Sequence, residues 1–157
     1  MPASLDRSQS RKRSIRAKKT FAWLLHAGNR LMRDMSPERK RSLFGKLSGR
    51  VLEIGPGAGA NLPLYPERTT LLGIEPNRFM FRYLREESHK SRRIMHMRNG
   101  RAESLCLRDN SVDAVVCTHV LCSVDDPDAA LREILRVLKP GGLFVFVEHV
   151  AAPRATI

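Results

Sequence analysis

Apolar positions along this chain follow two rhythms. From Arg50 onward, short and nearly continuous apolar runs alternate with segments whose apolar residues recur every three or four positions. Runs of this length read as buried strands, and 3.6-residue spacing marks amphipathic helices. The runs predict strands at Arg50–Ile54, Thr70–Ile74, Ile94–Met97, Val112–Cys117 and Leu143–Glu148; the fourth is apolar except for Asp113. Between them, Phe79/Tyr83 and Met80/Leu84 form i,i+4 pairs on a helix from about Asn77 to Ser88. Asp125-Asp126-Pro127 caps a second helix, with Leu131, Ile134, Leu135 and Leu138 on one face, and Lys139-Pro140-Gly141-Gly142 stops it and turns the chain. Such alternation predicts an α/β protein with a parallel sheet covered on both faces. Ahead of it, Phe21, Leu24, Leu25, Leu31 and Met32 predict a helix over Phe21–Met35. Ser36 as N-cap before Pro37 starts another, which buries Leu43, Phe44 and Leu47 and ends at Ser48-Gly49.

Charge divides the chain in the same place. The net charge is +12, yet residues 1–50 hold 14 Lys/Arg against 3 Asp/Glu, while residues 51–157 hold 14 against 13. We therefore read residues 1–20 as a basic, mostly disordered tail, 21–49 as N-terminal helices and 50–157 as the functional domain. The tail interleaves too few aromatics to stack bases, which argues against nucleic acid. A peripheral contact with anionic membrane is its sharper use. No run of 18 apolar residues and no secretory layout is present, and Cys106, Cys117 and Cys122 are an odd number without a paired framework. A cytoplasmic location with reduced thiols is the simplest expectation. Cys117-x-His119-x-x-Cys122 offers three ligands with no fourth nearby, so no metal is expected.

The chemistry concentrates at Val51–Gly59, where a strand breaks into Gly55, Gly57 and Gly59. Glycines at the end of a first parallel strand let bare backbone approach a nucleotide-like ligand. Gly55, Gly57 and Ala60 satisfy a loose dinucleotide pattern, so both a nicotinamide dinucleotide and S-adenosylmethionine must be weighed. Pro56 removes a backbone donor that a pyrophosphate needs, and Pro63 and Pro66 leave the next helix about one turn long. Glu53, a carboxylate in an apolar strand, is suited to ordering the loop and meeting an ammonium, directly or through water. Both favour S-adenosylmethionine. Glu75, 20 residues after Gly55, stands where an acid accepts ribose hydroxyls. Ala102 and Glu103, after the third strand, lie where an adenine edge would be read.

These motifs, with Glu75-Pro76-Asn77, Arg101-Ala102-Glu103, Ser111–Val116 and Leu138–Gly142, resemble the class I S-adenosylmethionine-dependent methyltransferases, type 11 domain, in order and spacing. Within them the chain looks most like the methyltransferase-like group of alkyl-thiol S-methyltransferases, through Gly59-Ala60-Asn61, Cys117–Val124 and Glu148–Ala152. The resemblance covers roughly residues 30–152. It implies a Rossmann-like doubly wound sheet, mainly parallel, of strand order 3-2-1-4-5. It also implies a cofactor site at Glu53, Gly55, Gly57, Gly59, Asn61, Glu75, Pro76, Asn77, Ala102, Glu103 and His119. His119 and His149 are the candidate bases or acceptor contacts, and the Phe21–Met35 helix is a candidate lid.

The expected activity is methyl transfer to a small molecule, a thiol or lipid-like compound. The alternatives are a non-catalytic S-adenosylmethionine-binding module and, less favoured, an NAD-linked oxidoreductase. The family's last two strands and its hydrophobic N-terminal anchor have no counterpart here. Either the chain is a fragment or truncated product, or the fifth strand is an edge covered by a second copy or another partner.

Overall fold

The structure is a computed structural model that describes residues 3–29, 31 and 37–148, with side chains from residue 14 onward. Strands β1 (Gly49–Ile54), β2 (Thr69–Glu75), β3 (Met95–Asn99), β4 (Val112–Thr118) and β5 (Leu138–Val147) form one sheet. Its order is β3-β2-β1-β4-β5 and every pairing is parallel, in accord with the expectation. Among the described residues it is accompanied by helices α1 (Ala3–Ala27), α2 (Pro37–Phe44), α3 (Met80–Ser91) and α4 (Pro127–Val137).

The pleat of the central strands sorts the core. Leu52 and Ile54 of β1 pack with Val115 and Cys117 of β4 against Ala130, Ile134 and Val137 of α4. On the other face Val51, Leu71, Ala114 and Val116 meet Phe44, Leu47, Leu62 and Leu84. Burying each such side chain contributes about 1.5–3 kcal/mol, so the two layers fix the strands whose ends carry the site.

Four local expectations change. The N-terminal helix begins at Ala3 rather than Phe21. Residues 3–20 contain no glycine or proline and many Arg, Lys, Ala and Leu, whose helix propensity outweighs charge repulsion. That helix ends at Ala27, where Gly28 N–H bonds back to Leu24 O at 2.9 Å. Ser36 and the predicted end of the helix at Met35 lie outside the described residues, as do His149 and everything after it.

On α4 the buried face is Ala130, Ile134 and Val137, while Leu131 and Leu135 stay exposed. The N-cap at Asp126 sets that phase, its side chain accepting the Ala129 N–H at 3.0 Å with Pro127 behind it. Finally, β5 starts at Leu138, which pairs with Val112, and Lys139–Gly142 form an irregularity inside the strand before Leu143 pairs with Ala114. Asp113 lies opposite that irregularity. It accepts from Lys139 Nζ at 2.6 Å and from Arg50 N–H at 2.7 Å, which accounts for a carboxylate within an apolar strand.

Candidate functional site

The carboxyl ends of β1, β2 and β4 converge on the glycine loop. Gly55 has φ of +64° and its N–H bonds to Ile74 O at 2.9 Å. A Cβ added there would stand 2.7 Å from Val120 Cγ2, so glycine is required by space as well as by conformation. Gly57, at φ of +54°, differs: a Cβ there would meet nothing within 4 Å and would project into open space above the loop. Two hollows lie there. The larger, of about 320 Å³, is lined by Gly55, Gly57, Glu75, Pro76, Asn77, Ala102, Glu103 and His119. The smaller, of about 210 Å³, is lined by Gly55, Gly57, Asn61 and His119, together with Asn29, Lys40 and Thr118. Phe21, Leu25 and Ser123 border both.

Glu75 spans the tips of two strands. Its Oε1 accepts the Asn77 N–H at 2.8 Å and its Oε2 accepts the Gly57 N–H at 3.2 Å. Burial raises its pKa, and the two backbone hydrogen bonds act against that shift. Glu103, beside it in the larger hollow, faces the other way electrostatically. Desolvation pushes its carboxyl up, but Arg101 and the backbone N–H groups that it accepts outweigh this and hold it down at about 2. One of its oxygens takes both Arg101 at 3.0 Å and the Asp125 N–H at 2.9 Å, which orders the loop before α4.

Glu53 lines neither hollow. It lies one layer beneath, 1% exposed, with Asn61 Nδ2 on Oε1 at 2.7 Å and Tyr65 Oη on Oε2 at 2.8 Å. Burial pushes its pKa up to about 7 against those two hydrogen bonds and the charge of Lys40. Its order-giving role therefore operates through Asn61, whose Nδ2 also donates to Thr118 Oγ1 at 2.9 Å. Gly59 likewise stays below the surface of the site, where a Cβ would be 2.9 Å from Leu62 Cδ1. His119 takes a left-handed conformation (φ of +56°), uncommon for a residue with a Cβ, and its N–H bonds to Val147 O at 2.8 Å. The next two N–H groups, of Val120 and Leu121, both donate to Glu148 Oε1 at 2.8 and 2.9 Å.

Helix α1 covers this edge. Ala22 and Leu25 pack with Ala58, Met80 and Tyr83, and Lys18 O accepts from Asn77 Nδ2 at 3.0 Å. After the helix, Asn29 Nδ2 reaches Ala58 O at 3.2 Å.

A family model described as a methyltransferase domain matches residues 52–146. The chain belongs to that family. Thiol S-methyltransferase TMT1A of Homo sapiens is 38% identical over 150 residues, which cover 88% of this chain and 62% of the relative. Phosphatidylethanolamine N-methyltransferase of Cereibacter sphaeroides is 31% identical over 125 residues, covering 78% and 62%. A solved S-adenosylmethionine-dependent methyltransferase of Thermotoga maritima, titled a possible histamine N-methyltransferase, superposes with a TM-score of 0.63 at 32% identity, over 81% of this chain and 58% of that one. The chain thus spans less than two thirds of the length of the curated relatives it matches.

The cofactor of this methyltransferase family is S-adenosylmethionine, and the residues present fit it. The open space above Gly57 is a cradle that any Cβ would invade. Asn61 Oδ1, buried beside the smaller hollow, has no hydrogen-bond partner among the described residues. Cys117, buried near the loop, is a poor nucleophile: burial, followed by the charges of Glu148 and Glu53, pushes its thiol up to about 12.

Sequence reasoning missed Lys40, Tyr65 and Asn29. Tyr65 and Asn29 carried no signal, being single polar residues beside a proline and a glycine. Lys40 did carry one, since it falls on the stripe of Phe44 and Leu47 at i+4 and i+7.

Proposed function

We propose that this chain holds S-adenosylmethionine across the two hollows and transfers its methyl group to a small molecule, a thiol or a lipid-like compound. The observation that carries the reading is the shared border. Gly55, Gly57, His119, Ser123, Phe21 and Leu25 touch both hollows, so a ligand with two polar ends joined at a waist fits across them. In this reading the adenosine takes the larger hollow, with Glu75, Pro76 and Asn77 at the ribose and Ala102 and Glu103 at the base. The amino-acid end takes the smaller hollow beside Asn61. S-adenosylmethionine supplies an electrophilic methyl carbon on a sulfonium.

The chain's own part is positioning and the exclusion of water. Phe21 and Leu25 bring apolar surface from α1 to the waist and favour an acceptor with an apolar body. His119 stands at the waist, held by Val147 O, and can accept the proton that a thiol gives up. The two relatives are named for a thiol and for phosphatidylethanolamine as acceptors, a sulfur and a nitrogen nucleophile, which supports such an acceptor here. Transfer of radiolabelled methyl to a panel of alkyl thiols, amines and phospholipids tests the reading. Turnover with at least one acceptor is expected. Tight binding of S-adenosylhomocysteine without turnover on any of them overturns methyl transfer and leaves a binding module.

We also propose that α1 rests on an anionic membrane from the cytoplasmic side. Arg16, Lys18 and Lys19 are exposed beside Phe21, Trp23 and Leu24, each more than half exposed, and no helix among the described residues is long and apolar enough to cross a bilayer. Co-sedimentation with phosphatidylserine vesicles, weakened by Trp23→Glu, is the expected result; equal recovery with neutral vesicles overturns it. A second copy pairing along β5, where Leu143 and Phe146 are exposed, is proposed alongside and is read from light scattering as a dimer.

A further inference from the structure

We propose that the groove between α3 and β3, at the opposite edge of the sheet from β5, binds a single-chain anionic lipid, a long-chain fatty carboxylate. The site stands apart from the cofactor reading. The groove, of about 660 Å³, shares no lining residue with either hollow beside the glycine loop.

Its floor is apolar and adjustable. β3 is the terminal strand of the sheet, and Met95 and Met97 lie on the same face of it. Both thioethers reach over Gly73 of β2, where an added Cβ would collide with the two sulfur atoms. The missing side chain at Gly73 makes that room, and unbranched methionines fit themselves around an alkyl chain without imposing a fixed shape. Phe81 and Leu84 of α3 continue the apolar surface, and Ile94, 76% exposed, carries it to the rim. A concave site of this volume is in the range that holds small molecules.

Charge is sorted around α3. Its two glutamates turn to other neighbours: Glu86 Oε2 stands 3.7 Å from His26 Nε2 of α1, and Glu87 Cβ lies 3.4 Å from where a Cβ of Gly59 would be. The groove side carries Phe81, Arg85 and His89 in one i,i+4 row and Leu84, Ser88 and Arg92 in the next. No acidic side chain lines the groove among the described residues. Arg85 and Arg92 are exposed, and neither guanidinium has an ion pair or hydrogen bond among the described residues. His89 and His96 add ring N–H donors to the same lining. An apolar floor beside unmatched cations complements an alkyl body with a carboxylate head, to which a guanidinium can give two parallel hydrogen bonds. A purely acidic peptide matches the cations but not the floor.

The test titrates the whole chain, isotopically labelled at its methionine methyl groups, with dodecanoate below its micelle concentration and follows it by NMR. The Met95 and Met97 signals, assigned with Met95→Leu and Met97→Leu, are expected to shift, while Met80, which lines the larger hollow, stays in place. Octanoate, with four fewer methylenes to bury, is expected to bind about tenfold or more weakly. Arg85→Glu and Arg92→Glu are each expected to weaken dodecanoate about tenfold, and Arg132→Glu, the same charge change on the exposed side of α4, to stay within about twofold of wild type. No shift at all, or a shift at Met80 alone, overturns the site. Equal binding of dodecyltrimethylammonium overturns the charge argument, and polyglutamate that competes as well as dodecanoate overturns the lipid in favour of an acidic peptide.

Discussion

Glu75 at the tip of β2 grips the glycine loop at the tip of β1 through one hydrogen bond, its Oε2 accepting the Gly57 N–H at 3.2 Å. Its other oxygen fixes the start of the next turn at Asn77. A single carboxylate thereby sets both walls of the larger hollow before any ligand arrives. Replacing it with alanine leaves two backbone donors unmatched and loosens both walls. Glu75→Ala is expected to weaken S-adenosylhomocysteine binding by about tenfold or more, and Glu75→Gln, which keeps one acceptor, by less. Calorimetric titration reads this, and unchanged affinity in both variants refutes the assignment.

Two glycines in the same loop are needed for different reasons. At Gly55 an added methyl group meets Val120 at 2.7 Å on top of a left-handed backbone. At Gly57 only the backbone term applies, since nothing lies within 4 Å. Gly57→Ala is expected to cost about 1 kcal/mol of stability, with a disproportionate loss of cofactor binding because the methyl enters the cradle. Gly55→Ala should cost more, and Val120→Ala in the same chain should recover part of that excess. Urea midpoints of the two single variants and the Gly55/Val120 pair check the ordering.

Glu53 makes a signed pH prediction. Its carboxyl rises from the usual 4.5 to about 7 in the folded chain, chiefly through burial. Between those values the folded state holds a proton that the unfolded state has lost, so stability falls as pH rises across that window. The integrated loss is on the order of a few kcal/mol. Glu53→Gln keeps an acceptor for Asn61 and removes the titration. Its stability relative to wild type should therefore improve from pH 4.5 to pH 7, as followed by thermal unfolding; a parallel pH dependence in the two proteins would contradict the burial argument.

The cysteines separate by accessibility. Cys106 and Cys122 are exposed, whereas Cys117 is fully buried with its thiol pushed up to about 12. A disulfide reagent at mild alkaline pH should modify two thiols rapidly in the native chain and the third only on unfolding. Rapid reaction of all three would mean that β4 is open to solvent at its centre.

Much of this architecture was readable from residue order. The apolar runs gave β1, β2 and β4 to within a residue, because strands buried on both faces admit little polarity, while the half-exposed edges β3 and β5 were bounded less closely. The glycine spacing marked the cradle, and Glu75 was identifiable by its place at a strand tip. Glu53 was only half legible: burial without a partner was unaffordable, but that Asn61 and Tyr65 stand between it and the hollow depends on how the turn at Leu62–Leu64 folds back. Lys40 was hidden among Glu38, Arg39 and Arg41, charges that α2 leaves exposed while it turns Lys40 and Phe44 inward. The Leu131 and Leu135 stripe on α4 misled because two phases of the helix were nearly equal in apolar content, and the Asp126 cap decided between them.

The loop that carries His119 is tied to the last strand of the sheet. Its N–H groups are held by Val147 O and by the Glu148 carboxylate, both at the end of β5. Strand and loop are in effect one mechanical part, with the outer margin of the sheet as its handle. A molecule that gripped that margin would pull on the backbone of residues 119–121 as well, so the proposed pairing along β5 would be felt at the waist of the proposed site.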